Sequence, residues 1–158
     1  MSKILLLQAR DEGDAMLEHE LSCFVERTGV ERERFTAINM VAVDPEDWPD
    51  FDNISAAMVG GSGDYSVVSG GFDWHEPALD YVRQIVAQNL PFFASCFGFQ
   101  LLVQALGGKL VSDPSMGEVG TYEMTLTDKG QSDSFFGNLP PRFMAQCGHN
   151  DSAVELPP

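Results

Sequence analysis

The chain has 158 residues, 44% of them apolar, a length that suits one globular domain burying about 70% of its unfolded surface. Twenty-four acidic residues against nine basic ones leave a formal charge of -15, which disfavours nucleic acid and anionic membrane surfaces as partners. Three cysteines, Cys23, Cys96 and Cys147, make no even disulfide framework, no charged-then-apolar leader precedes Lys3, and the apolar runs are only strand-length; a cytoplasmic protein outside the membrane is expected.

Along the chain, short apolar runs alternate with helix-period segments. Lys3 to Ala9 reads as a buried strand, and Leu17, Leu21, Phe24 and Val25 then recur at helical spacing, with Cys23 expected in the core beside them and His19 on a solvated face. Phe35 to Val41 and Ala56 to Val59 are the next strands, the second opening into Gly60-Gly61-Ser62-Gly63. Pro77 begins a helix carrying Leu79, Val82, Ile85 and Val86. Pro91 to Ser95 reads as another buried strand and Phe97 to Leu106 as a helix stopped by Gly107-Gly108. After Lys109-Leu110-Val111, the stretches Val119 to Thr127 and Phe143 to Gln146 are strands, with turn-rich sequence from Asp128 to Pro141 between them. The alternation predicts an α/β fold: a flavodoxin-like, doubly wound, mostly parallel sheet with helices on both faces. With no linker or internal repeat, residues 1–158 form a single domain.

In such a sheet, ligands bind at the carboxyl ends of the strands, where Gly60-Gly61 and Cys96 both fall. Ala94-Ser95-Cys96-Phe97-Gly98 has the pattern of a nucleophile elbow: a sharp strand-to-helix turn needs small residues two before and two after the nucleophile, here Ala94 and Gly98. The helix that follows points its amino terminus at the sulfur and favours the thiolate. The unpaired N–H of Phe97 is then placed to meet an oxyanion.

Cys96-Phe97-Gly98-Phe99-Gln100-Leu101-Leu102, followed by Leu106-Gly107-Gly108, resembles the nucleophile motif of class I glutamine amidotransferases, in particular the glutaminase part of GMP synthase. The resemblance covers essentially the whole chain. Gly60-Gly61 resembles the family's oxyanion loop, Met116-Gly117-Glu118-Val119-Gly120 its Glu-x-Gly strand start, and His149-Asn150-Asp151 its His-x-Asp stretch. Ser62 stands where many relatives have proline. The resemblance implies hydrolysis of the glutamine side-chain amide through a γ-glutamyl thioester on Cys96, with the N–H groups of Gly61 and Phe97 holding the oxyanion. It further implies a glutamine pocket formed by Gly60, Gly98, Gln100, His149, Asn150 and Asp151, and a synthetase domain or subunit that accepts the ammonia.

The same resemblance places the catalytic base in a His-x-Glu segment well beyond the His-x-Asp stretch. The chain therefore reads as a class I glutamine amidotransferase-like domain whose C-terminal part, with the base and its orienting carboxylate, is missing. His75, beside Trp74 and Glu76, reads as a local structural contact. No cofactor is expected. Cys147, His149 and Asp151 are possible metal ligands, but alternate residues on one strand with no second cluster make a poor zinc site, so no metal is expected. Ser69-Gly70-Gly71-Phe72-Asp73 reads as a glycine-rich turn, and Gly60 to Gly63 lacks the lysine of a phosphate-binding loop. Two alternatives remain: a non-catalytic flavodoxin-like binding module, and a cysteine hydrolase or chaperone that shares the sheet.

Overall fold

The computed structural model describes residues 2–158. Its centre is a parallel four-stranded sheet in the order β2-β1-β3-β4, with β1 at Lys3–Ala9, β2 at Phe35–Asn39, β3 at Ile54–Ser62 and β4 at Phe92–Ala94. β1 lies between two neighbours and is covered on both faces, which is why its sequence is an unbroken apolar run rather than an alternation. Period two still sorts its side chains. Leu5, Leu7 and Ala9 join the larger core cluster, whereas Ile4 and Leu6 join a smaller one with Phe35.

The smaller cluster is closed by α1, Met16–Thr28, through Leu21, Phe24 and Val25. α1 ends at Gly29, whose φ of 66° provides the left-handed cap and whose N–H returns to the Val25 carbonyl. Cys23 is exposed, not in the core as its apolar neighbours suggest. At about 100° per residue, Cys23 lies some 200° round the helix from Leu21, opposite the face that Leu21, Phe24 and Val25 bury.

The larger cluster lies beneath α2, His75–Ala87, and α3, Phe97–Ala105, which contribute Ala78, Leu79, Val82, Ile85, Phe97 and Leu101. α2 begins two residues before Pro77, so that His75 is drawn inside and bonds through Nε2 to Gln104 Oε1 at 2.9 Å. A Cβ at Gly70 would lie 2.7 Å from His75 Nδ1, so the glycine turn seals this histidine in place. Helices thus cover both faces of the sheet.

Two expectations are corrected at the far edge. β4 is three residues long and ends the sheet, leaving Phe93 39% exposed rather than buried, because only β3 flanks it. An apolar groove lined by Met58, Phe92, Phe93, Phe99, Phe135 and Phe136 runs beside that edge.

Beyond α3 the parallel pattern stops. β5, Lys109–Ser112, pairs antiparallel with β8, Asp151–Glu155, a strand not foreseen from the sequence. β6, Glu118–Thr125, and β7, Arg142–His149, form a separate antiparallel ribbon. The turn-rich segment between them holds the one-turn helix α4, Asp128–Ser132, capped by the Thr127 hydroxyl accepting from the Gly130 N–H. Among the described residues, no helix is long and apolar enough to cross a membrane.

Candidate functional site

Cys96 occupies the corner between β4 and α3 with φ 52° and ψ -114°, a left-handed backbone that non-glycine residues rarely adopt. The surroundings hold it there. The Ser95 N–H donates to the Val59 carbonyl at 3.0 Å, the Gly98 N–H to the Ser95 carbonyl at 2.9 Å, and the Gln100 N–H to the Cys96 carbonyl at 3.0 Å. A Cβ on Gly98 would sit 2.5 Å from the Val59 carbonyl oxygen, so only glycine lets α3 rest this closely on β3. The elbow geometry expected from Ala94 and Gly98 is present, with Cys96 exposed at its apex. Phe97, the first residue of α3, has no intrahelical acceptor for its N–H.

Two cavities flank the cysteine. One, of about 290 Å³, is lined by Cys96, Phe97 and Gln100, by the loop Ser62 to Ser66, and by Gly148 to Asp151. Its volume lies at the lower end of the roughly 300–1,000 Å³ usual for small-molecule pockets. The second, of about 560 Å³, shares Cys96, Gln100, His149 and Asp151 with the first and reaches Phe99, Glu118 and Ala153. Gln100 and the His149-Asn150-Asp151 corner are thus brought to the cysteine as the sequence suggested.

The walls are tied together by long-range hydrogen bonds. The Ser66 hydroxyl donates to Asp151 Oδ2 at 2.6 Å, joining the loop after β3 to the start of β8. Gln100 is buried and donates through Nε2 to the Asp151 carbonyl at 2.9 Å, so its amide positions the pocket wall. The Tyr65 hydroxyl donates to Asp11 Oδ1 at 2.5 Å, and this bond to a carboxylate pushes the phenol up to about 12. Tyr65, Asp64 and Ser66 were not anticipated as pocket residues. Their only sequence signal is their position directly after the glycine cluster.

Gly60, Gly61 and Gly98 do not line either cavity. Gly60 faces the other side of the sheet, where any Cβ would collide with the Glu20 carboxylate. The Gly61 N–H lies close enough to that same carboxylate to help hold its pKa down. Glu20 is itself buried, held by Gln8 Nε2 at 2.9 Å and facing Arg10 Nε at 3.8 Å. Of the two expected oxyanion donors, Phe97 lies at the site, whereas Gly61 lines neither cavity.

None of the three histidines offers a free nitrogen to Cys96. His19 lies on the exposed face of α1, with Nε2 3.6 Å from Cys23 Sγ. His75, the first residue of α2, is sealed between Gln104 and the Gly70 turn. His149 lines both cavities, but its Nδ1 meets the Asp151 carbonyl at 3.1 Å and its Nε2 meets Glu118 Oε2 at 3.1 Å. Glu118 was not foreseen as a neighbour of His149, because their contact depends on the antiparallel register of β6 and β7.

Comparison with known proteins agrees with this geometry. The family model described as "Glutamine amidotransferase class-I" matches residues 32–158. A GMP synthase of Petrotoga mobilis is 32% identical over 108 residues, 67% of this chain and 20% of that protein. One subunit of the glutamine-hydrolysing GMP synthase of Sulfolobus acidocaldarius is 30% identical over 128 residues, 78% of this chain and 62% of that one. Against a GMP synthase of Tropheryma whipplei the match spans only 15% of the relative's length, at 36% identity over 51% of this chain. A solved glutamine amidotransferase of Methylobacillus flagellatus shares the fold with a TM-score of 0.76 at 21% identity, over all of this chain and 59% of the other. The parallel sheet, the elbow and the sequence match together place this chain in the class I glutamine amidotransferase family.

Proposed function

We propose that Cys96 is the nucleophile of a glutaminase site and that glutamine binds in the cavity between the Ser62–Ser66 loop, the elbow and the His149–Asp151 corner. The observation that carries this reading is the left-handed Cys96 at the mouth of that cavity, directly ahead of α3. The thiolate attacks the side-chain amide carbon of glutamine, and the negative charge passes to the carbonyl oxygen, where the Phe97 N–H meets it. Collapse of this intermediate breaks the carbon–nitrogen bond. The proton taken from the thiol goes to the departing nitrogen, and ammonia leaves. Water then cleaves the γ-glutamyl thioester to glutamate and restores the thiol.

Gly61, which lines neither cavity, joins as the second donor only when its N–H turns toward the cavity. The base comes from a segment outside residues 2–158. This reading is supported by the contacts at both nitrogens of His149, by the placement of His19 and His75 outside both cavities, and by the one-sided β4 edge, where a further strand can pair. The similarity to the Sulfolobus GMP synthase component supports delivery of the ammonia to a synthetase domain or subunit.

Chemical rescue tests the assignment. Ammonia release from glutamine by residues 1–158 is expected to rise with added imidazole, which replaces the absent base, and Cys96→Ala is expected to abolish that rise. Equal imidazole dependence in the variant would remove Cys96 from the reaction. No release from either protein, together with unchanged glutamine binding by Cys96→Ala, would favour the non-catalytic binding module.

A further inference from the structure

The ribbon β6–β7 turns one face inward, and along it the half-buried positions are Glu118, Gly120, Met124, Phe143, Ala145, Cys147 and His149. Glu118 is paired directly with His149, and Gly120 with Cys147. Because Gly120 has no side chain, the space over the Cys147 thiol stays open to its diagonal neighbours. One ligand atom each from Glu118, Cys147 and His149 falls within 4.8 Å of the others.

The imidazole orientation is what an ion pair alone does not require. A carbonyl can only accept, so Nδ1 donates in the contact with the Asp151 carbonyl, which leaves Nε2 as the nitrogen that faces the carboxylate, where a cation can take the place of the proton between them. Histidines that ligate metals are held in this way, the second nitrogen donating to a carbonyl or carboxylate. Nε2 and Glu118 Oε2 are 3.1 Å apart. Two ligands on bonds of about 2.1 Å at the tetrahedral angle are about 3.4 Å apart, so the pair need only open slightly to reach the edge length of a zinc polyhedron.

We propose that Glu118, Cys147 and His149 form a three-ligand site for a zinc-class divalent cation at the border of the cavity that also reaches Cys96. The thiolate, imidazole and carboxylate suit zinc over magnesium or calcium, which take oxygen ligands. Two ligand charges neutralise the cation, and the surrounding chain, at -15, attracts it. The fourth position belongs to water or to a group entering the cavity. This site shares His149 with the wall of the proposed glutamine cavity but uses none of the glutaminase chemistry.

Cobalt(II) is the probe, added to metal-free protein at neutral pH and then displaced with zinc. The expected result is one cobalt per chain, with near-ultraviolet thiolate-to-cobalt absorption and the visible bands of a tetrahedral ion. Both should persist in the Cys23→Ser/Cys96→Ser protein, whose only thiol is Cys147. Cys147→Ser should abolish the thiolate band, and Glu118→Gln should weaken binding by about tenfold or more, as loss of even an outer partner does. Absence of saturable binding by the native chain would overturn the proposal. So would a thiolate band that survives Cys147→Ser and disappears with Cys23 or Cys96; a melting curve confirms that each variant is folded.

Discussion

At Glu20, one carboxylate lies between the fold and the chemistry. It is buried against Gly60, where no side chain could fit, and the Gly61 N–H lies near it. Desolvation raises its pKa above the ordinary 4.5, outweighing the hydrogen bond from Gln8, the charge of Arg10 and the N–H of Gly61. A raised carboxyl pKa means that the folded state keeps a proton that the unfolded chain has released. The contribution of this group to stability is therefore full below the unfolded pKa and is lost as pH rises through the folded one. Glu20→Gln removes that dependence. The melting temperature of the native protein minus that of the variant should fall as the pH rises above about 4.5, the ordinary carboxyl value from which this group is raised. A flat or rising difference would contradict the buried, desolvated carboxylate. Cys96 and Gly98 were legible in the sequence because the elbow is local, five consecutive residues that dictate one turn. The packing of Gly60 against Glu20 was not, since it depends on a helix residue about forty positions earlier.

The elements divide in the same way. β1, α1 and α3 were readable from runs and periods, because burial on one or two faces leaves its pattern in the sequence. β8 and the pairing of β6 with β7 were not, because antiparallel register is set by partners far along the chain. Cys23 marks the limit of a local reading: its neighbours are apolar, yet the helical angle turns it outward. The two-stranded ribbon also differs physically from the central sheet. No residue of β6 or β7 is fully buried, whereas six of seven in β1 are. A two-stranded ribbon is only marginally stable without further packing. Amide hydrogens in β6 and β7 should therefore exchange well before those of β1 and β3 when followed residue by residue. Exchange of the ribbon together with β1 would mean that it folds as part of the same cooperative unit.

Over the whole molecule, a parallel sheet with helices on both faces presents the cysteine elbow at its strand ends, and the residues after β5 close around that corner. The charge of -15 is spread over the surface and argues for a partner other than nucleic acid. The general architecture was legible because alternating β and α segments admit few topologies. The position of Glu118 beside His149, and of both near Cys96, became visible only when the ribbon was folded over the elbow. Exposure alone does not distinguish the cysteines, since Cys23 and Cys96 are both exposed and Cys147 is half-buried. A diazoketone analogue of glutamine, applied at low stoichiometry and located by peptide mass spectrometry, therefore reports the pocket rather than access. Modification confined to Cys96 and suppressed by free glutamine is the predicted result; equal modification of Cys23 and Cys96, untouched by glutamine, would contradict a glutamine site at the elbow.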